Sequence, residues 1–217
     1  MNQGASTKMR EQGLRKQGGH NLRAEKLSCM RGDKLLFRDL NLALMPGQAG
    51  LLTGPNGVGK SSLLRLIAGL LDPFSGSINV PASIALCDDR MALDENMPLA
   101  SALHFWARMD GKNSGDVANA ISAMGMEHLA EVPIRYFSTG QRQRARLART
   151  FLTAADLWLL DEPANGLDSA SVEQLGKALQ THLDGGGMIL AASHIGLPID
   201  FDVTLQLAAL ERMETQS

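Results

Sequence analysis

The chain has 217 residues, of which 44% are hydrophobic and 20% are charged, and its formal net charge is −2. This composition is typical of a globular protein, and the length indicates one domain with room for a subdomain. The near balance of charge excludes a general basic field, so no nucleic-acid partner is expected.

Signals for a membrane span or a disulfide framework are weak. The best apolar run, residues 63–71, is too short to cross a bilayer and contains Arg65. The first 20 residues lack the apolar stretch of a secretory signal. Cys29 and Cys87 have neither framework nor metal spacing, so we expect two buried thiols in a reducing compartment.

The N-terminal quarter divides into a tail and a hairpin. Residues 1–20 are polar and rich in glycine, which predicts a disordered tail. Residues 21–44 alternate in polarity on either side of a turn at 31–34, which predicts two antiparallel strands. A hairpin in this place suggests a small antiparallel sheet added to a larger core.

A glycine-rich loop follows the hairpin. Residues 49–53 predict a short buried strand and residues 62–71 a helix, and between them GPNGVGKSS matches the phosphate-loop pattern G-x-x-x-x-G-K-[ST]. Backbone N–H groups and the helix dipole favour an anion there. Lys60 is expected to reach the β- and γ-phosphates, and the Ser61 hydroxyl to ligate Mg²⁺. The predicted binding residues are Gly54, Pro55, Asn56, Gly57, Val58, Gly59, Lys60, Ser61 and Ser62.

A helical insertion is predicted downstream of this loop. Short strands are expected at 77–80 and 84–87, followed by helices at 98–109 and 114–124, so a helical subdomain occupies about 95–150. Ser138 is a plausible N-cap of the next helix. Arg142, Arg146 and Arg149 fall on one face of that helix, which we expect to be a solvated face.

Acidic residues end the next apolar run. Residues 156–160 predict a buried parallel strand that delivers Asp161 and Glu162 at its C-terminal end, where open α/β sheets place their chemistry. Asp161 is expected to hold Mg²⁺, and Glu162 to act as general base on the attacking water. After a helix at 169–183, a second buried strand at 188–192 leads to His194, for which we expect a γ-phosphate contact. An edge strand at 203–207 and a polar tail from 211 to 217 complete the chain.

These motifs in this order resemble the nucleotide-binding subunit of ABC transporters. The matching segments are the phosphate loop at 54–62, a signature loop at 137–141, the acidic strand end at 157–162, Asp168 in NGLD and His194. The resemblance covers about residues 21–207. It implies an α/β phosphate-loop NTPase core with a mostly parallel sheet, a small antiparallel β-subdomain and an inserted α-helical subdomain, in one ATPase domain at 21–210.

The resemblance also implies partners and further site residues. The family acts as a head-to-tail dimer in which each ATP, with Mg²⁺, is held by one phosphate loop and by the opposing copy's Ser138, Gly140 and Gln141, and Asp168 matches the D-loop aspartate. Integral membrane subunits complete such transporters. Within the family, the stretch from Cys29 and the FSTGQRQRARLAR segment resemble subunits of haem exporters in cytochrome c maturation, at the cytoplasmic face of a bacterial inner membrane.

The sequence departs from the usual pattern of this family at three places. Phe137 and Thr139 replace the leucine and first glycine of the usual signature. Cys29, Met30 or Arg31 stands where an aromatic usually stacks on adenine. Asp88, Asp89 and Arg90 stand where a metal-contacting glutamine is usual, with Asp88 or Asp89 as its candidate replacement.

Three alternative functions remain open: an ABC subunit for another cargo, a soluble ABC ATPase and a small-molecule kinase. The signature loop and His194 disfavour the kinase.

Overall fold

The computed structural model describes residues 14–208. Its strands are β1 (Leu14–Gly19), β2 (Leu22–Arg31), β3 (Lys34–Leu44), β4 (Ala49–Thr53), β5 (Ser75–Pro81), β6 (Ile84–Cys87), β7 (Leu157–Asp161), β8 (Met188–Ala192) and β9 (Val203–Gln206). Its helices are α1 (Lys60–Ile67), α2 (Leu99–Met109), α3 (Ser114–Ala123), α4 (Thr139–Leu152) and α5 (Ser169–Asp184). Short 3₁₀ turns at Glu127–Leu129 and Ile134–Tyr136 precede α4.

A parallel sheet forms the centre of the molecule. Its strand order is β6-β7-β8-β4-β9, and every neighbouring pair runs parallel. The central strands β7 and β8 are buried along their length except at Asp161. A strand that is buried on both faces appears in the sequence as a continuous run of apolar residues. The sequence pattern therefore predicted the bounds of both strands to within one residue. Their carboxyl ends lie at one edge of the sheet.

The second sheet contains the predicted hairpin. Its order is β1-β5-β2-β3, and β2 pairs antiparallel with both β3 and β5. The predicted strands, the mostly parallel main sheet and the antiparallel subdomain are confirmed.

One prediction about the N-terminus is wrong. Residues 14–19 belong to β1, which pairs parallel with β5, and not to a disordered tail. Arg15 Nη2 donates to Ile67 O at 3.2 Å and Gln17 Nε2 to Ala82 O at 2.8 Å. A free sheet edge offers backbone partners to a polar segment, and composition alone does not register this. Residues 1–13 and 209–217, which include the rest of both predicted tails, lie outside the described residues.

The predicted helical insertion is present, but its arginines are not on a solvated face. Helices α2, α3 and α4 pack together over the side of the parallel sheet. Arg142 pairs with Glu95 at 2.6 Å, and Arg149 pairs with Asp110 at 3.2 Å and lies over the Trp106 ring. The expectation fails because helical periodicity identifies a shared face without identifying what packs against it.

The remaining bulk expectations concern thiols and membrane spans. Cys29 and Cys87 are free and buried, as predicted, and burial raises the pKa of Cys87 to about 11. Between residues 14 and 208, no helix combines the length and apolar character that crossing a membrane requires.

Candidate active site

The phosphate loop connects β4 to α1. Backbone conformation and close neighbours explain why two of its positions are glycine. Gly54 and Gly59 have φ angles of 132° and 117°, in the region that glycine favours. A Cβ on Gly54 would lie 2.3 Å from Leu207 O, and one on Gly59 would lie 3.2 Å from Leu36 Cβ. The loop therefore folds tightly between the end of β9 and the β-subdomain, with free N–H groups at the start of α1.

Lys60, the first residue of α1, is buried, with 7% of its surface exposed. Its Nζ donates to Gly54 O at 2.7 Å and to Pro55 O at 3.3 Å, and it lies 2.9 Å from His194 Nε2. An ammonium group has three protons, so when His194 Nε2 carries no proton these contacts use the full donor capacity of Lys60. A bound phosphate would have to replace at least one of them.

The second half of the site is the end of β7. Burial raises the pKa of Asp161, and a hydrogen bond with Ser61 opposes that shift. Glu162 has a φ of 49° and donates its N–H to Ala192 O at 2.8 Å. This bond to β8 holds the residue after the strand end in a conformation uncommon for a side chain with a Cβ.

His194 joins the two halves. Its backbone N–H donates to Glu162 Oε2 at 3.2 Å, and its Nε2 lies 3.4 Å from Glu162 Oε1. The same Nε2 lies 2.8 Å from Asn56 Oδ1, so with a proton it donates to Asn56 and without one it accepts from Lys60. The structure thus brings the phosphate loop, the acidic strand end and the histidine into contact.

A cleft of ≈ 290 Å³ opens beside these groups. It is lined by Leu36, Asn56, Gly57, Gly59, Lys60, Ser61, Ser62, Asp161 and Glu162. Sequence reasoning missed Leu36, which comes from β3 of the other sheet. Its only sequence signal was an apolar residue in a strand.

A second cleft of ≈ 400 Å³ shares Ser61, Asp161 and Glu162 with the first and is also lined by Asp88 and Asp89. Both of these aspartates are paired with Arg65, at 3.1 Å and 3.2 Å respectively. Asp89 is 84% exposed at its side chain, whereas Asp88 is 10% exposed. Of the two residues at the place of the missing glutamine, Asp88 is therefore the enclosed one.

The signature residues do not line either cleft. Ser138 caps α4: its Oγ accepts from Gln141 N at 3.3 Å, while Gln141 Oε1 accepts from Ser138 N at 2.9 Å. Asp168 caps α5 by accepting from Ser171 N at 2.8 Å, which lowers its pKa. Ser138, Gly140, Gln141 and Asp168 are not among the residues that line either cleft.

A glycine loop between a parallel strand and a helix, with an acidic strand end and a histidine beside it, defines a phosphate-loop ATPase. The profile of the family described as ABC transporter matches residues 37–165. The chain belongs to this family.

That membership rests on extensive sequence similarity. The cytochrome c biogenesis ATP-binding export protein CcmA of Zymomonas mobilis is 48% identical over 190 residues, which cover 88% of this chain and 86% of that protein. The protein of the same name from Gluconobacter oxydans is 40% identical over 197 residues, covering 91% and 92%. The chain therefore belongs among the cytochrome c biogenesis ATP-binding export proteins.

Solved structures agree on the fold. A putative ABC transporter ATP-binding protein from Pyrococcus furiosus has a TM-score of 0.76 and 25% identity, covering 86% of this chain and 97% of that one. A dimeric ATP-binding cassette in a post-hydrolysis state, bound to ADP and Pi, has a TM-score of 0.72 at 18% identity, covering 80% and 88%. The chain is thus an ABC ATPase, the ATP-binding subunit of a transporter with membrane partner subunits.

Proposed function

We propose that this chain hydrolyses ATP with Glu162 as general base, and that it is the ATPase subunit of a haem exporter for cytochrome c biogenesis. The observation that carries the catalytic part is the position of Glu162. Its carboxylate lines the cleft together with Lys60 and Ser61, and the N–H of His194 binds one of its oxygens.

The proposed reaction needs few protein groups. Lys60 and the backbone N–H groups of the loop bind the β- and γ-phosphates. Glu162 takes a proton from water while the water oxygen bonds to the γ-phosphorus, and the bond from that phosphorus to the β-phosphate oxygen breaks, which releases ADP and phosphate. We assign to His194 a hydrogen bond to the γ-phosphate, and its contacts with both Lys60 and Glu162 support this role.

Ser61 and Asp161 would hold Mg²⁺. Hydroxyl and carboxylate oxygens suit this hard cation, and both residues line the phosphate cleft. Within residues 14–208, no group of three or more His, Cys, Asp or Glu side chains is arranged to hold a metal. A site with few protein ligands agrees with an ion that takes the others from phosphates and water. When bound, Mg²⁺ neutralises charge on the β- and γ-phosphates.

We further infer a head-to-tail homodimer, in which Ser138, Gly140, Gln141 and Asp168 act on the ATP of the partner. It is supported by the position of these residues outside the chain's own clefts and by the dimeric cassette of similar fold. The cytochrome c biogenesis part of the proposal is supported by the names of relatives that share up to 49% identity. The haem and inner-membrane parts are supported by the resemblance of the sequence motifs to subunits of haem exporters.

Substitution of Glu162 tests the catalytic part. Glu162→Gln keeps the shape and one acceptor oxygen, so ATP affinity should change little, while turnover should fall by about 10²–10⁴-fold. Glu173→Gln is the matched control, because Glu173 is exposed and its one ion-pair partner among the described residues is Lys177. Turnover near wild type in Glu162→Gln would exclude the general-base role.

The same variant tests the cellular part. In cells that rely on this chain, Glu162→Gln should abolish holo-cytochrome c, measured by haem staining, and leave b-type cytochromes intact. Normal c-type cytochromes together with an inactive ATPase would exclude the role in cytochrome c biogenesis but leave the ATPase proposal standing.

A further inference from the structure

We propose that Asp88 is a positioning residue for ATP hydrolysis, because it ties the helix that begins at the phosphate loop to the helix that begins at the signature loop. The inference rests on the proposed head-to-tail dimer, in which the signature loop of one copy acts on the ATP bound by the other. It concerns Arg65 in the last turn of α1, Asp88 in the turn after β6, and Arg146 in the middle of α4.

Asp88 uses different groups for each helix. Its carboxylate oxygen Oδ2 accepts from Arg65 Nη2 at 3.1 Å, and its backbone oxygen accepts from Arg146 Nη1 at 3.3 Å. The other carboxylate oxygen, Oδ1, accepts from Arg90 N at 3.1 Å, which closes the turn. One residue therefore holds both guanidinium groups, and its side chain is 10% exposed.

The two arginines have few other side-chain partners. Among the described residues, Arg65 has one further ion pair, with Asp89, and the side chain of Arg146 has no hydrogen bond besides the one to Asp88. The Nε atoms of Arg65 and Arg146 are buried and have no hydrogen-bond partner among the described residues. Asp89, the other partner of Arg65, is 84% exposed, so its ion pair is screened and weak. Loss of the Asp88 contacts would leave two partly buried cations poorly compensated, and the local structure would rearrange to solvate them.

A small tilt of α4 is enlarged at the signature loop and lowers the rate of hydrolysis. Arg146 lies about 12 Å along α4 from Ser138, at 1.5 Å per residue. A tilt of about 5° at that distance moves the signature loop by about 1 Å, and a misplacement of this size can reduce a rate by up to about 10²-fold. In the dimer, Lys60 serves one ATP and Ser138 serves the other, so the spacing of α1 and α4 decides whether both sites close together.

Three variants test the connection: Arg65→Met, Arg146→Met and the double variant. Each should be assayed in the full chain assembled with its membrane subunits. If Asp88 connects the helices, cutting either contact breaks the connection. Each single variant should lower kcat by about tenfold, and the double variant should be no slower than the slower single, since coupled residues are not additive. The affinity for a non-hydrolysable ATP analogue should stay within about twofold, because the phosphate loop keeps its own contacts.

Asp110→Asn is the matched control. It cuts a partly buried ion pair of the same helix, that of Arg149, which does not reach α1, and kcat should stay within about twofold of wild type. If a methionine variant does not fold, Arg65→Lys and Asp88→Ala replace it. Asp88→Ala removes the side-chain contact with Arg65 but keeps the backbone oxygen that accepts from Arg146, so it should lower kcat as Arg65→Met does, and Arg65→Lys should retain part of the activity. A double variant slowed by the product of the single effects, or an equal loss in Asp110→Asn, would overturn the proposal. Glu162→Gln in the same assay separates this outcome from a failure of the general-base role.

Discussion

At the scale of single residues, the partly buried His182 packs against the buried Trp158. Its ring stacks on Trp158 with centroids 3.8 Å apart and planes 3° from parallel, and its Nε2 lies 3.2 Å from Met188 O. Since a carbonyl only accepts, this contact places the proton of the neutral ring on Nε2. Burial lowers the pKa of His182, while the Met188 carbonyl and Asp156 oppose the shift. The folded chain therefore favours an uncharged imidazole here.

That preference predicts a pH dependence of stability. Because the pKa of His182 is lower in the folded chain than the ordinary histidine value of 6.5, the unfolded chain binds more protons as pH falls below about 6.5. The free energy of unfolding should therefore fall between pH 7.5 and pH 5.5. His182→Phe keeps a ring on Trp158 but cannot titrate, so it should show a smaller fall in urea unfolding. His128→Gln, at an exposed histidine, should follow wild type; equal slopes for wild type and His182→Phe would contradict this explanation.

At the scale of elements, the start of α4 depends on the loop after β7. A Cβ on Gly140 would lie 2.5 Å from Gly166 O. The buried Gln143 donates its Nε2 to Pro163 O at 3.0 Å, which fixes the same two elements one turn further on. Gly140 therefore has a packing role within the chain besides the proposed phosphate contact with the partner.

Gly140→Ala separates the two roles. In an open helix this change would stabilise by about 1 kcal/mol. Here the clash with a backbone oxygen should reverse the sign and cost about 1–3 kcal/mol, measured by urea unfolding of the full chain without nucleotide. Gly196→Ala is the control, because no atom of residues 14–208 apart from its two chain neighbours lies within 4 Å of its Cβ position, and it should change stability by less than about 0.5 kcal/mol. A Gly140→Ala chain more stable than wild type would contradict the close approach.

At the scale of the molecule, the separation of signature loop and phosphate cleft predicts complementation between copies. Ser138→Arg should block the site of the partner, and Lys60→Ala should disable the chain's own phosphate loop, so each variant alone should be inactive. A mixture forms some dimers in which one site carries both changes and the other carries none. ATPase activity should then recover in part, provided that one intact site suffices.

Ser138→Arg also removes a helix cap, worth about 1 kcal/mol. Asn113→Ala removes the capping box of α3 instead and controls for that loss; it should stay active. If the mixture forms dimers and remains inactive at every ratio, the trans arrangement is not supported.

The sequence by itself determined the parts of the site that depend on local spacing. The phosphate loop needs glycines, lysine and serine at set offsets between a strand and a helix, and Asp161 and Glu162 follow a buried apolar strand. Parallel strands end at one edge of their sheet, so these segments were expected together, and the structure places Ser61 and Asp161 beside one cleft. The caps at Ser138 and the hairpin turn at 31–34 are local for the same reason.

The tertiary structure alone decided which distant residues meet. The pairing of β1 with β5, the ion pairs of the α4 arginines, the entry of Leu36 into the cleft and the enclosure of Asp88 by two arginines depend on contacts far apart in the chain. Periodicity and motif spacing report what a segment buries or caps within a few residues. Partners supplied by other elements are set by packing, because each surface of a helix or strand accepts many neighbours of suitable shape and charge.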